Sequence, residues 1–347
     1  MSEVVDYLAE LTGFRDRDVM DVTLVSALRD LLEPLSVAIY RSIGEAGEER
    51  WLTRARLNAH EAVASADPLW SEPARLPLVS EHPHRGDCMR SRRVLQLRQG
   101  PQWLTLFPLM NEREVVGVLE VNSAERLESP AQRMVCSVLR IYHNFQGLLD
   151  YSERDTLTGL LNRKTFDESF LKALTEMPPD RDGSGAAPDE GRRQPPGQAG
   201  YFLGVIDIDH FKSVNDRFGH LIGDEVLLLL SRLMRSSFRF HDLLYRFGGE
   251  EFVVLMRCDG EANAGLAFER LRHNTEQYGF PQVGRITVSI GFTQVRPGES
   301  PAAAFDRADK AVYHAKGAGR NQVRSHAALL SAGALKEQAQ LSAMELF

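Results

Sequence analysis

The 347-residue sequence has only three cysteines, Cys88, Cys136 and Cys258, which lie far apart and without CxxC spacing. This scarcity argues against a disulfide framework or a zinc ribbon and favours a reducing compartment. No stretch approaches the roughly 18 uninterrupted apolar residues of a membrane span. The opening MSEVVDYLAELTGF carries acids where a signal peptide carries basic residues. We therefore expect a cytoplasmic protein without a membrane partner.

An excess of positive charge is also absent. The chain has 41 Lys and Arg against 48 Asp and Glu, which gives a net charge of −7. No general attraction to nucleic acid is expected, so phosphate binding must be local. With 43% hydrophobic and 26% charged residues, the composition is that of a globular protein, and the length suits two domains.

The first predicted domain, residues 1–128, combines helical and strand-like patterns. Apolar residues recur at helical spacing in VVDYLAEL and from Asp18 to Leu32. Strands are predicted at 35–41, 93–99, 102–110 and 114–123, and an irregular polar loop at 58–92. The order of these patterns predicts an α+β domain with an antiparallel meander.

A helix is predicted over residues 129–154. Its apolar side chains are spaced 3, 4, 3, 4, as in a coiled-coil seam of about two heptads: Val135, Val138, Tyr142, Phe145 and Leu149. One interpretation is a helix that packs on its own domain. The other, favoured by its place between two domains, is a dimerising, signalling connector.

The second predicted domain covers residues 155–325 and is followed by a loose tail, 326–347. Residues 177–200 are rich in Pro, Gly and charge, which indicates a flexible insertion. After it come a strongly apolar strand (YFLGVIDID), a helix, a hairpin, a helix, a strand and a last helix. The domain should therefore also be of mixed α+β type.

The hairpin contains the sequence RFGGEEF, residues 246–252. Gly248 and Gly249 suit a tight turn and leave the backbone bare for a ligand, while Glu250 and Glu251 leave it on opposite faces. If the hairpin pairs with YFLGVIDID, a glutamate meets Asp207 or Asp209. Such carboxylates suit a hard divalent cation such as Mg²⁺. The alternative is a set of solvated acids at loop edges.

Two cations near the end of the last predicted helix favour a phosphate-binding site. Lys316 and Arg320 lie in KGAGRN, where small neighbours leave both side chains exposed. Together with backbone N–H groups after Asp209 they would clamp a polyphosphate. Taken singly, each cation is more often a solvated surface charge.

Several motifs together resemble the GGDEF family of diguanylate cyclases: DTLTGLLNRKTF, DIDHFKSVNDRFGHLIGDEVL, GGEEF, ITVSIGF and ADKAVYHAKGAGRN, over about residues 153–325. The resemblance implies a central, mostly antiparallel sheet flanked by helices, similar to nucleotidyl cyclase and polymerase palm domains. It also implies the condensation of two GTP into cyclic di-GMP and two pyrophosphates by a bacterial signalling homodimer.

The resemblance assigns roles to individual residues. Asp207, the Ile208 carbonyl and Glu250 would bind Mg²⁺, or Mn²⁺ in its place, and Glu250 and Glu251 would be the catalytic acids. Asn215 and Asp224 would bind guanine. The nucleotide would lie along Gly248 and Gly249, and its phosphates would contact the remaining group: His210, Phe211, Lys212, Lys316 and Arg320.

The sequence RFHD, nine residues before the glycine turn, resembles the family's inhibitory RxxD site. Arg239, Asp242 and Arg270 would there bind cyclic di-GMP and cause product inhibition. Without the family, RFHD is better explained as a surface ion pair.

The N-terminal domain resembles a GAF sensory module, with PAS as the second choice, by its pattern and its position before a cyclase. Its ligand would be an unknown small molecule. His82, His84 and Cys88 in EHPHRGDC are conceivable metal or haem ligands, although polar loops often gather such residues.

Three functions compete at this point. The first is an active, feedback-inhibited diguanylate cyclase regulated by its N-terminal sensor. The second is a catalytically silent cyclic di-GMP receptor that uses Arg239, Asp242 and Arg270. The third is a scaffold in which GTP binding controls dimerisation. The presence of Asp207, both turn glycines and both glutamates favours the first.

Overall fold

The structure is a computed structural model that describes residues 2–13, 16–44, 47–68, 71, 73–111, 114–175 and 200–336. It divides the chain into two compact units, Met1–Ser152 and Glu153–Phe347. The predicted insertion at 177–200 lies outside the described residues except for Gly200. Within the described ranges no helix has both the length and the apolar character needed to cross a membrane.

The first unit packs helices on both faces of an antiparallel sheet. Its strands lie in the order β2-β1-β5-β4-β3. The bounds of its elements are α1 Ser2–Gly13, α2 Arg17–Leu32, β1 Ser36–Ile43, β2 Arg50–Asn58, α3 Pro83–Ser91, β3 Leu95–Gln99, β4 Gln102–Met110, β5 Val115–Ser123 and α4 Ser129–Glu153. The predicted strands coincide with β1, β3, β4 and β5 to within two residues.

Two elements of the first unit differ from the sequence prediction. Strand β2 was missed because arginines interrupt its alternation of apolar and polar residues. One of them, Arg54, is held toward the protein interior by an ion pair with Asp21 at 2.9 Å. Helix α3 lies inside the region predicted as an irregular loop. Its polar sequence hides a helix that buries Arg85 and Cys88 against the sheet.

Helix α4 buries its predicted seam in the core of its own unit. Val135, Val138, Tyr142 and Leu149 are buried together with side chains of α1, α2 and the sheet, and Phe145 packs at the edge of this core. Tyr142 also donates a hydrogen bond to Asp21. The structure therefore matches the interpretation of a helix packed on its own domain, and it corrects the prediction of a dimer seam at these residues.

The second unit is built around a sheet with the strand order β11-β10-β7-β9-β8-β6. Its outer pairs, β10 with β11 and β8 with β6, are parallel, and the others are antiparallel. The bounds of its elements are β6 Leu161–Asn162, α5 Arg163–Thr175, β7 Gly200–Ile208, α6 Phe211–Phe218, α7 His220–Ser237, β8 Leu243–Gly248, β9 Glu251–Cys258, α8 Glu261–Gln277, β10 Val288–Gln294, α9 Pro301–Gly317, β11 Val323–Ser325 and α10 His326–Ser331.

This architecture agrees with the predicted mostly antiparallel sheet flanked by helices. Strand β7 is buried along almost its whole length because both its neighbours and the helices cover it. The predicted loose tail begins instead with α10, whose Leu329 is buried and which packs on α9.

Helix α9 approaches the sheet unusually closely at Gly291 of β10. A Cβ at this position would lie 2.2 Å from the carbonyl oxygen of Ala308, so only glycine fits without moving the helix. This close packing places the C-terminal end of α9 beside the C-terminal end of β7 and the turn between β8 and β9.

Candidate functional site

Two carboxylates lie directly opposite each other at the end of the central strands. In the antiparallel ladder of β7 and β9, Asp207 pairs with Glu251, so both side chains project from the same face. Glu250 lies in the turn immediately before β9. The hairpin and its pairing partner are thus as predicted, and the structure adds that Glu251 is the glutamate opposite Asp207.

Lys316 of α9 contacts Asp207 of this pair. Its Nζ lies 2.7 Å from Oδ2 of Asp207. The other oxygen, Oδ1, is buried and has no hydrogen-bond partner among the described residues. Asp207 as a whole is 7% exposed, so half of its carboxylate has been removed from water without a replacement.

The pKa values around Asp207 reflect burial and like-charge repulsion. Burial raises the pKa of Asp207, although Lys316 lowers it in part. Burial and the charge of Asp207 raise the pKa values of Glu250 and Glu251. Burial also raises the pKa of Asp309. The site therefore holds more negative charge than its protein cations neutralise, and a bound cation would relieve it.

Asp309 and Arg163 were missed as members of this site. Asp309 lies two helical turns before Lys316 on α9, and its charge raises the pKa of both Asp207 and Glu251. Arg163, at the start of α5, lowers the pKa of Glu251. Both belong to quoted motifs, but nothing in their spacing signals that α5 and α9 meet at the hairpin.

The glycine turn presents open backbone. Gly248 and Gly249 have φ values of 133° and 53°, and a Cβ added at either would meet no atom within 4 Å. Arg246 holds the turn by donating to the carbonyl oxygen of Gly249 at 2.9 Å and to Asp155 at 3.0 Å. The ring of Phe247 stacks on Phe305 of α9. These contacts therefore fix the turn on one side, and the backbone of its two glycines stays open to a ligand.

Asp209 has a structural role, in contrast to Asp207. Its carboxylate accepts hydrogen bonds from the hydroxyls of Thr287 and Ser289, each at 2.7 Å, and from the backbone N–H of Asn321 at 3.0 Å. These bonds tie the loop after α9 to the end of β7. Arg320, which is exposed and has a left-handed backbone, precedes Asn321 in this loop, four residues after Lys316.

The predicted guanine-binding residues come together where α6 meets α7. Gly219 ends one helix and begins the other with a φ of 84°. A Cβ at Gly223 would lie 2.0 Å from Oδ1 of Asn215, so the amide lies over this glycine, next to the exposed Asp224. His210, in the left-handed conformation, starts α6, whose first N–H groups have no intrahelical acceptors.

The donor set fits a hard divalent cation. The orphaned Oδ1 of Asp207 and the neighbouring glutamates are oxygen ligands of the type that Mg²⁺ prefers. In the described part of the chain no three Asp, Glu, His or Cys side chains already converge as a metal centre. Lys316 occupies the place of a cation at Asp207 instead.

The RFHD segment forms a tight turn with a buried acid. Asp242 accepts a hydrogen bond from the backbone N–H of Arg239 at 2.8 Å. Its other oxygen, Oδ1, is buried without a hydrogen bond in the described residues, and Nε2 of His241 lies 4.0 Å from it. Burial raises its pKa to about 6, while Arg239 and Arg270 lower it in part. Arg270 is anchored by donating to the carbonyl oxygen of Ser237 at 2.8 Å. The structure thus brings the three predicted residues together.

The conceivable ligands in EHPHRGDC do not form a site. Cys88 is fully buried, its thiol donates to the carbonyl oxygen of Arg93, and burial raises its pKa to about 12. His82 and His84 lie at the start of α3. Cys88 thus belongs to the core of its unit, and no group of three potential metal ligands is found among the residues that the structure describes.

The second unit matches a known domain family. Residues 192–322 match the family model described as the GGDEF domain of diguanylate cyclases. This part of the chain is a GGDEF domain. The predicted family is confirmed, whereas the GAF-like nature of the first unit stays a prediction.

Two relatives are similar to this chain over part of their length. The diguanylate cyclase DgcP of Pseudomonas aeruginosa is 35% identical over 216 residues, which cover 61% of this chain and 29% of DgcP. The response regulator PleD of Caulobacter vibrioides is 30% identical over 298 residues, 78% of this chain and 61% of PleD. The chain thus spans less than two thirds of these curated relatives.

A solved structure also matches the GGDEF domain. The GGDEF domain of DgcB from Caulobacter crescentus, crystallised in complex with c-di-GMP, is 31% identical. The match covers 50% of this chain and 96% of that chain, with a TM-score of 0.43.

The buried Asp242 should make the free energy of unfolding depend on pH. Because its folded pKa of about 6 lies above the usual 3.8, the ionised form destabilises the fold above pH 6, and this penalty disappears below about pH 4. The shift corresponds to about 3 kcal/mol. We expect Asp242→Asn to raise the free energy of unfolding by up to that amount at pH 8 and much less at pH 4.5. Urea denaturation at both values tests this, and an equal difference at both would contradict it.

Proposed function

We propose that this protein is a diguanylate cyclase that condenses two GTP into cyclic di-GMP and two pyrophosphates. The observation that carries the proposal is the half-satisfied, buried Asp207 opposite Glu251, beside an open glycine turn. A purely structural acid at this position would be fully hydrogen-bonded, as Asp209 is. The GGDEF domain and the relatives named as diguanylate cyclases support the same activity.

Asp207, the Ile208 carbonyl and Glu250 would hold Mg²⁺, or Mn²⁺, with Glu251 as an adjacent carboxylate. When bound, the ion would neutralise charge on the transferred phosphate and on the attacking and leaving oxygens. The protein's own contribution is to hold the carboxylates together at a rigid strand end. Burial would also keep them poorly hydrated before the substrate arrives.

The residues around this edge suit a guanine nucleotide. Asp224 would accept hydrogen bonds from the N1–H and N2–H₂ groups of guanine, which adenine lacks, and Asn215 would bind beside it. The bare turn at Gly248 and Gly249 would admit the nucleotide along the backbone. The phosphates would contact Lys316, Arg320 and the N–H groups of residues 210–212.

The reaction joins the 3′-oxygen of one GTP to the α-phosphorus of the other, while the bond from that phosphorus to the leaving pyrophosphate breaks. The proton of the 3′-hydroxyl must pass to a base. Glu250 is the candidate for this role because it lies in the glycine turn next to the carboxylates of Asp207 and Glu251, although a carboxylate that also binds the ion would be a weak base.

Because one domain holds one GTP, two chains must meet with their sites facing each other. The homodimer cannot use the buried seam of α4. The same helix exposes Leu148 and Tyr151 near its C-terminal end, which leaves another face for association. The first unit would act as a GAF-like sensor of a small ligand and control this alignment in the cytoplasm.

The cluster of Arg239, Asp242 and Arg270 would bind cyclic di-GMP and inhibit the enzyme. Oδ1 of Asp242, which accepts no hydrogen bond in the described residues, supports a ligand site, because a guanine N–H would supply that bond. Two nearby guanidinium groups suit the phosphates of the product.

Substitution of the site acids tests the proposed activity. Purified protein with GTP and Mg²⁺ should form cyclic di-GMP, and Glu250→Ala should lower the rate by at least about 100-fold, because it removes a ligand and a base. Asp167→Ala, which removes an exposed acid of α5, should not change the rate. Chromatography of the nucleotides measures the product. Absence of cyclic di-GMP together with tight binding of it would favour the silent receptor instead.

Substitution of Arg239 tests product inhibition. In Arg239→Ala the initial rate should stay near that of the natural protein, since Arg239 is not among the residues placed at the GTP site, but added cyclic di-GMP should no longer slow the reaction. Arg285→Ala, another exposed arginine, serves as the control. Inhibition of equal strength in both variants would contradict the assignment of the RFHD turn.

A further inference from the structure

Lys316 has two possible partners, which it cannot contact at the same time. Its Nζ lies 2.7 Å from Oδ2 of Asp207 in the structure, yet the proposed reaction requires it at a phosphate of GTP. The side chain is a third exposed, with a flexible four-carbon stem at the end of α9. It therefore has both a buried partner and room to leave it.

The surroundings of Asp207 explain why the lysine rests there. The carboxylate is nine-tenths buried and faces Glu251 across the ladder, so it needs a positive charge nearby to stay ionised. The positive charge of Arg163 acts on Glu251. The ammonium of Lys316 is the protein cation that contacts Asp207 in the described residues.

We propose that Lys316 serves as a built-in substitute for the metal at Asp207, so that a divalent cation binds there well only when the ammonium moves to a nucleotide phosphate. This inference rests on the proposed function. Two cations on one buried carboxylate repel each other strongly, whereas a triphosphate accepts the displaced ammonium.

The consequence is positive coupling between metal and nucleotide. If the nucleotide raises the affinity for the metal by removing Lys316 from Asp207, the metal raises the affinity for the nucleotide by the same factor. The enzyme would then hold little metal without substrate, and Asp207 would keep one cation as its partner between turnovers.

The test measures Mn²⁺ binding rather than turnover. Free Mn²⁺ is followed by electron paramagnetic resonance during titration of the full-length protein, with and without 3′-deoxy-GTP, which lacks the attacking hydroxyl. We expect Lys316→Gln to bind Mn²⁺ alone about tenfold more tightly than the natural protein, as the loss of one charged hydrogen bond to Asp207 implies. The factor by which 3′-deoxy-GTP tightens Mn²⁺ binding should be smaller in this variant.

Lys310→Gln is the matched control. Lys310 lies on the same helix, is similarly exposed and pairs with Asp306 at 2.7 Å, so its loss removes the same charge without touching Asp207. It should leave the Mn²⁺ affinity nearly unchanged. Adding Asp207→Asn to Lys316→Gln should abolish the gain, and Lys316→Met provides a second variant should the glutamine variant fold poorly.

The possible results separate this inference from the proposed function. Equal Mn²⁺ affinity in Lys316→Gln and the natural protein, or the same gain in Lys310→Gln, would overturn the inference. If 3′-deoxy-GTP still promotes Mn²⁺ binding in that case, the proposed function stands. No Mn²⁺ binding by any of the proteins with 3′-deoxy-GTP present would overturn both.

Discussion

Repulsion between Asp207 and Glu251 is the constraint around which the second unit is arranged. Residues directly opposite in an antiparallel ladder have Cβ atoms about 5 Å apart, and two like charges at that separation cost about 3 kcal/mol at an effective dielectric constant of 20. The pair lies at the end of a fully buried strand, where burial adds to the cost. Lys316 offsets part of it, while burial and, to a lesser extent, the neighbouring acids keep the pKa values of Asp207 and Glu251 raised.

Other contacts keep this unfavourable arrangement in place. Asp209, with all its hydrogen bonds made, locks the end of β7 to β10 and to the loop after α9. Arg246 bridges the glycine turn to Asp155, and Gly291 allows α9 to approach the sheet. A well-satisfied acid and an unsatisfied one, two residues apart, thus have opposite roles: one builds the scaffold and the other is held ready for a ligand.

The sequence was informative where local chemistry determines the structure. The glycine turn, the strand YFLGVIDID beside it and the mixed sheet with flanking helices follow from turn preference and apolar patterning. Several motifs in one order made the GGDEF family recognisable. The positions of Asn215 and Asp224 around Gly223 agree with their shared motif.

Long-range packing accounts for what the sequence did not predict. Asp309 and Arg163 join the site only because α9 and α5 meet at the hairpin. The 3, 4 spacing of α4 is the same for a coiled coil and for a helix on a sheet, and only the partner surface distinguishes them. Likewise, Asp207 and Asp209 look alike in DID, and only the hydroxyls of Thr287 and Ser289 separate their roles.

The carboxylate of Asp207 should bind a divalent cation when a nucleotide is present. Crystals grown with Mn²⁺ and 3′-deoxy-GTP allow the metal to be located by anomalous scattering. We expect a peak within coordination distance of Asp207 Oδ1, with the Lys316 ammonium moved to a phosphate. A bound nucleotide without metal at Asp207, or with Lys316 still on its carboxylate, would contradict it.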